Sequence, residues 1–214
     1  MTAVYYTKCE QLPSHSFEKG VSLLPKKMQE RLRKYTRWQD AHSFLYGKLL
    51  LKEAISQFGY NESLECLQKN KYGKPYFVNS DFGFNISHSG EYIVCAISTD
   101  EKQNLGIDIE EIKPLIMEGF KKVFSIEEKK QIKTYDNFYT FWTRKEAIVK
   151  ADGRGLYIPL NTINTLSLSV MLENKKYNLY PVDIDENYII YMATSISLEK
   201  DIQCFYQQPI QCIH

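Results

Sequence analysis

Asp108 and Glu110 stand two residues apart in Leu105-Gly106-Ile107-Asp108-Ile109-Glu110-Glu111. Alternate residues of a strand share a face, so on a strand both carboxylates project together while Ile107 and Ile109 turn the other way, into a core. Two carboxylates on one face repel, and a hard divalent cation relieves that repulsion. Magnesium suits such a place, because it prefers oxygen, keeps several waters and takes one or two carboxylates together with substrate phosphates. With Glu111 following, a solvated acidic strand end is the plainer reading of this pair alone. Glu146 adds weight to the metal. Trp142, Glu146 and Lys150 are spaced i, i+4, i+8 and share one helical stripe. A stripe serving only a core would be apolar, and one facing only water would rarely carry tryptophan. A surface Glu–Lys pair beside a half-buried tryptophan is the bland alternative.

Groups that could meet phosphate lie elsewhere in the chain. Ser87-His88-Ser89-Gly90 offers hydroxyls, an imidazole and a pliable backbone where a strand turns. Asn85 is placed to brace that turn. Lys74 sits in Tyr72-Gly73-Lys74-Pro75, a loop made stiff or sharply turned by its glycine and proline. Lys26, Lys27, Arg31, Arg33, Lys34 and Arg37 put six positive charges into twelve residues. That segment reads as a solvated basic helix face or, more sharply, as a surface for an anion or a partner. Gly153-Arg154-Gly155 lacks the spacing of a nucleotide fingerprint.

The elements that must position these groups follow from periodicity. A first strand is expected at Ala3–Tyr6. Helical spacing runs from Leu23 to Phe58, with a break at Thr36–Asp40 and Asp40 as the second N-cap. Phe84–Gly90 reads as a strand running into a polar turn, strands follow at Tyr92–Ser98 and Leu105–Ile109, and Pro114 ends the last of these. Helices are expected at about 115–133 and 137–151, then strands near 163–171, 176–181, 187–196 and 202–206. Each half reads strand, helices, strands. The expected fold class is therefore α+β, a pseudo-duplicated chain of two subdomains, each a small, mostly antiparallel sheet packed on helices. Residues 1–102 form the N-terminal subdomain with the phosphate contacts, and 103–214 the C-terminal one with the metal and catalytic groups.

The chain has 214 residues, with 27 lysines and arginines against 26 acids. A balance this even excludes nucleic-acid binding through bulk charge, so any anion site is local. Five cysteines without metal-ligand spacing imply neither a disulfide framework nor a zinc site. No segment reads as a signal peptide or membrane span. The expectation is a reduced, cytoplasmic protein with no membrane partner.

Taken together and in order, Asp40-Ala41-His42, Tyr72-Gly73-Lys74-Pro75, Phe84-Asn85-Ile86-Ser87-His88-Ser89-Gly90, Gly106-Ile107-Asp108-Ile109-Glu110, Phe124-Ser125-Ile126-Glu127-Glu128 and Trp142-Thr143-Arg144-Lys145-Glu146-Ala147-Ile148-Val149-Lys150 resemble the motifs of the 4′-phosphopantetheinyl transferase superfamily, in its larger single-chain branch typified by the surfactin-synthetase activator. The resemblance covers residues 24–160. It implies transfer of phosphopantetheine from coenzyme A to a serine of an apo acyl or peptidyl carrier protein, with coenzyme A in a cleft between the subdomains of a monomer. By matching position, Asp108, Glu110 and Glu146 would hold magnesium, with Glu146 or a water as base. Lys150 would steady the leaving phosphate, with Asp108 also in the catalytic group. Lys27, Arg31, Lys74, Ser87, His88 and Lys145 would join Lys150 in contacting coenzyme A. Phe44 departs from a position that is often polar in the family, and Arg144 from one that is often apolar. A coenzyme-A-binding module without catalysis, or a magnesium-dependent phosphohydrolase, are the rival readings.

Overall fold

The computed structural model describes residues 1–208 apart from 103, 121 and 200, so the expectation for Cys212 lies outside the described residues. The first strand, β1, runs Thr2–Lys8. An unexpected helix, α1 (Ser14–Ser22), comes next, and the broken helix expected over Leu23–Phe58 forms as α2 (Lys26–Leu32) and α3 (Trp38–Gln57). Pro13 and Pro25 stand immediately before α1 and α2, where a missing N–H costs nothing. The break falls at residues 33–37. Arg37, in extended backbone and without a side-chain bond, is the N-cap of α3, and Asp40 sits inside its first turn. Asp40 there complements the helix dipole instead of capping it.

A short hairpin comes next, β2 (Leu67–Lys69) and β3 (Pro75–Phe77), then β4 (Gly83–Ser89) and β5 (Tyr92–Ser98). β5 pairs antiparallel with both β1 and β4. Every residue of β5 is buried, because both of its faces are covered. On one face Ile93, Cys95 and Ile97 pack beneath Leu45, Leu50 and Ile55 of α3. On the other, Val94 and Ala96 meet Ile107, Ile109 and Met192 from the second half.

The second half opens with β6 (Gly106–Glu111) and continues through α4 (Ile126–Gln131), α5 (Tyr135–Asp152), β7 (Ser169–Leu172), β8 (Lys175–Pro181) and β9 (Tyr188–Thr194). The long helix expected at 115–133 is instead a 3₁₀ turn at Met117–Phe120 followed by the short α4. Ser125 starts α4 afresh with a complete capping box to Glu128. The sheet order is β6-β9-β8-β7, antiparallel throughout. α5 lies across β6 and β9, and a Cβ on Gly106 would collide with the backbone of Ala147 and Ala151. That glycine lets helix and strand approach closely enough to share one site.

The final strand, β10 (Gln203–Tyr206), corrects the expected division of the chain. It runs parallel beside β1, giving the first sheet the order β10-β1-β5-β4. Residues expected in the second subdomain thus complete the first sheet. No described helix is long and apolar enough to cross a membrane.

Candidate active site

The edge strands β4 and β6 lie alongside each other where the two sheets meet, and side chains bridge them. Every second residue of β4 reaches across. Asn85 accepts from the Ile107 amide at 2.9 Å through Oδ1. Ser87 donates to Asp108 Oδ1 at 2.9 Å. Ser89 donates to Glu110 Oε2 at 3.1 Å and accepts from the Glu111 amide at 3.1 Å. The period of two along Asn85, Ser87 and Ser89 is that of a strand face. Asn85 therefore braces β6 and not its own turn. Gly90 closes the turn with φ +54°, where a Cβ would strike Glu111 and Tyr188.

α5 brings the remaining groups. Trp142, Glu146 and Lys150 line one cavity of about 370 Å³ with Ser87, Asp108 and Glu110, so the helical stripe faces the acidic strand. Trp142 donates its indole N–H to Glu110 Oε1 at 2.9 Å. Lys150 Nζ stands 2.6 Å from both Asp108 Oδ1 and Ser87 Oγ. Among the described residues, no hydrogen-bond partner reaches the buried Asp108 Oδ2. Burial raises the Asp108 carboxyl above its usual range, against the pull of Lys150. Burial and then the charge of Asp108 raise both Glu110 and Glu146. The three acids thus resist ionising together, as carboxylates short of a cation do. Among the described residues, no three His, Cys, Asp or Glu side chains are gathered tightly enough to hold a metal ion by themselves. The orphaned oxygen of Asp108 and the open carboxylate of Glu146 do fit a cation that draws its other ligands from water and substrate.

A second cavity, of about 550 Å³, continues from the first, because Ile86 and His88 line both. It carries Lys27 and Arg31 of α2, Phe44 and Lys48 of α3, and Lys69 of β2. His88 thus stands between the acidic and the basic ends. Its proton affinity is lowered by partial burial and then by the charge of Lys150. Lys27 and Arg31 are both exposed on the rim.

Two lysines expected at coenzyme A are engaged elsewhere. Lys145 is fully buried on the far side of α5, where it pairs with Glu128 at 2.7 Å and donates to the carbonyls of Leu160 and Ile163. It has no route to the cleft. Its partner Glu128 also accepts from the amides of Ser125 and Thr165 and from the Thr165 hydroxyl. Against the effect of burial, the Lys145 ammonium and then those donors hold its carboxyl below the usual range. Phe124-Ser125-Ile126-Glu127-Glu128 is therefore a structural clamp. Lys74 sends its ammonium to the carbonyls of Leu105 and Ala151, at 3.1 and 2.8 Å, tying the hairpin to the start of β6 and the end of α5. Its neighbours Gly73 and Pro75, not its ammonium, line the second cavity. Arg144 donates to the Thr165 carbonyl and the Tyr191 hydroxyl, each at 2.9 Å. His42 joins Trp38 and the Leu12 amide, anchoring α3 to the chain before α1.

Sequence reasoning missed Lys48 and Lys69 at the basic end. Lys48 stands one turn after Phe44 inside the otherwise apolar Phe44–Leu51 stretch, and that interruption was the available signal.

Comparison with known proteins agrees with this geometry. A family model described as 4′-phosphopantetheinyl transferase, N-terminal, matches residues 12–100, and one described as 4′-phosphopantetheinyl transferase superfamily matches residues 104–188. The 4′-phosphopantetheinyl transferase gsp of Aneurinibacillus migulanus is 34% identical over 210 residues, spanning 89% of this chain and 86% of that protein. The 4′-phosphopantetheinyl transferase Sfp of Bacillus subtilis is 35% identical over 155 residues, spanning 69% and 68%. An L-aminoadipate-semialdehyde dehydrogenase-phosphopantetheinyl transferase of Schizosaccharomyces pombe is 31% identical over 180 residues, spanning 71% and 68%.

Proposed function

The chain belongs to the 4′-phosphopantetheinyl transferases, and we propose that it moves the phosphopantetheine arm of coenzyme A onto a serine of an apo acyl or peptidyl carrier protein, working as a monomer of two similar halves with the substrate between them. The observation that carries this reading is the continuous cleft, cationic at one end and carboxylate-lined at the other, with His88 between. Coenzyme A has a matching layout, a nucleotide with a phosphate monoester at one end and a pyrophosphate at the reacting centre.

In this reading the carrier serine oxygen bonds to the phosphorus nearer pantetheine. The bond from that phosphorus to the bridging oxygen breaks, and the electron pair leaves with 3′,5′-ADP. Glu146, with its raised proton affinity and open carboxylate, takes the serine proton. Lys150 is placed to move from Asp108 to the leaving phosphate and steady its charge. Ser87 and Trp142 hold Asp108 and Glu110 in position through their hydrogen bonds. His88 offers an imidazole to the phosphates at the junction of the two cavities. Asp108, Glu110 and Glu146 would hold magnesium, which when bound would supply neutralisation of the pyrophosphate charge.

The test is to incubate the protein with coenzyme A, magnesium and a panel of apo carrier proteins, then weigh the carriers intact. A gain of one phosphopantetheine that a chelator abolishes is the expected result. Coenzyme A bound by folded protein without any gain on any carrier would favour a binding module instead.

A further inference from the structure

The turn between β2 and β3 reaches across to the end of the helix that carries the reacting groups. Asn70 organises the turn from within. Its Oδ1 accepts from the Tyr72 amide at 2.9 Å and the Lys74 amide at 3.0 Å, and Gly73, at φ +96°, lets the chain double back. With that acceptor committed, the other side of the Asn70 amide is left to donate, and Nδ2 gives a hydrogen bond to the Gly153 carbonyl at 3.1 Å. Gly153 is the left-handed C-cap of α5, at φ +86°, and a Cβ there would stand 2.8 Å from the Lys74 side chain and 3.3 Å from Asn70 Nδ2. The end of a helix leaves carbonyls without intrahelical donors and carries partial negative charge. Here the first half of the chain supplies donors, Asn70 for Gly153 and the Lys74 ammonium for Ala151 at 2.8 Å. The rings of Tyr72 and Tyr157 meet nearby, with centres 5.1 Å apart. α5 is the helix of Glu146 and Lys150, which lie about two turns and one turn before Gly153. Gly73 and Pro75, from the same turn, line the basic cavity.

We propose that Asn70 is a positioning residue for the transfer, holding one wall of the nucleotide cavity in register with the helix that bears Glu146 and Lys150. The proposal rests on the functional reading above. A nucleotide seated against Gly73 and Pro75 fixes where its pyrophosphate lies, and the turn that seats it is fastened to the end of α5. The distance from the reacting phosphorus to Glu146 and Lys150 is therefore set by Asn70, with Lys74 beside it, as well as by the bonds between β4 and β6. A misplacement of about 1 Å between reacting groups costs on the order of 100-fold in rate. Asn70 lines neither the carboxylate cavity nor the basic one, so its effect passes through the turn and the helix.

The experiment compares wild type, Asn70→Asp and Asn70→Ser in two measurements. One is calorimetric binding of coenzyme A. The other is the single-turnover rate of transfer, at saturating coenzyme A and magnesium, to whichever apo carrier of the panel wild type modifies fastest. Both are made at a temperature where melting shows each protein folded. Asn70→Asp keeps the acceptor that builds the turn and sets a carboxylate against the Gly153 carbonyl. Asn70→Ser is neutral and too short to reach Gly153, and it decides the matter if the aspartate variant does not fold. Both variants are expected to bind coenzyme A within about threefold of wild type and to transfer roughly tenfold or more slowly. A merely structural asparagine would lower the melting temperature and leave that rate alone. A rate within about twofold of wild type in a folded variant would overturn the proposal. So would coenzyme A binding weakened roughly tenfold or more, which would confine Asn70 to shaping the cavity wall. A wild type that transfers to no carrier would instead defeat the functional reading.

Discussion

Replacing Lys145 with methionine separates a lysine that holds the fold from one that holds the substrate. The side chain is fully buried, as is that of Glu128, 2.7 Å away. Methionine keeps most of the volume and removes the charge. Breaking a buried pair from one side costs about 3–5 kcal/mol, because the other charge stays behind. Glu128 would retain three donors, at 2.8 Å from the Ser125 and Thr165 amides and 2.7 Å from the Thr165 hydroxyl, which favours the lower end. The carbonyls of Leu160 and Ile163 would lose their donor, which moves the cost back up. The expected loss is about 4 kcal/mol. For a chain of this size each kcal/mol shifts the melting midpoint by about 2–4 °C, so the fall should be roughly 8–16 °C. Urea titration would give the stability. Transfer kinetics at low temperature, where the variant stays folded, would give the coenzyme A KM, expected within about twofold of wild type because the side chain lies on the far face of α5. A KM raised tenfold or more, with stability changed by less than about 1 kcal/mol, would refute the structural assignment.

Glu146→Gln should lower transfer by about 100-fold or more while leaving coenzyme A binding largely intact, read by intact mass of the carrier and by calorimetry. Without magnesium, burial and then the charge of Asp108 raise the Glu146 carboxyl above the ordinary glutamate value of 4.5. The same raised carboxyls set the sign of a stability effect. Asp108, Glu110 and Glu146 hold protons more tightly folded than unfolded, so their contribution falls as pH rises through the window that opens at 3.8 for the aspartate and 4.5 for the glutamates. In chelator, the Asp108→Asn/Glu110→Gln/Glu146→Gln protein should therefore gain on wild type between pH 4 and pH 7, as followed by urea midpoints. A gap that stays constant with pH would contradict the raised carboxyls.

The parts of the site that sequence could reveal were those governed by local periodicity. Asp108 and Glu110 share a strand face and Trp142, Glu146 and Lys150 a helix stripe, and both elements formed where their patterns placed them. Ile107 and Ile109 turn into the core as alternation requires. The Ser125–Glu128 capping box was also local, and its spacing signalled a helix start within the expected 115–133 helix. What escaped depended on distant partners. Lys145 looks like its neighbours in the sequence, and only the packing of Thr165 and Glu128 around it makes it a core residue. Lys48 sits in a helix whose pattern is mostly apolar, and its place beside Arg31 and Lys69 is visible only once α2 and β2 are in place. α1 was missed because it buries only Gly20 and Val21, too little to leave an apolar stripe.

The parallel pairing of β10 with β1 has a consequence for how the chain is made. Ala3 sits opposite Gln203, so 200 positions of the chain separate the two partners. During synthesis, β4 and β5 can complete one side of β1 early, but its other edge stays open until β10 leaves the ribosome. An unpaired edge in a nascent chain is a template for other strands. The wait for β10 also adds a contact of high sequence separation, the kind that slows folding. Tyr5 stacks on Phe205 and Tyr6 meets Tyr206 edge-on, so when the last strand arrives two aromatic pairs help to close the seam. The first sheet, although three of its strands come early in the chain, is finished only after the second sheet has been made.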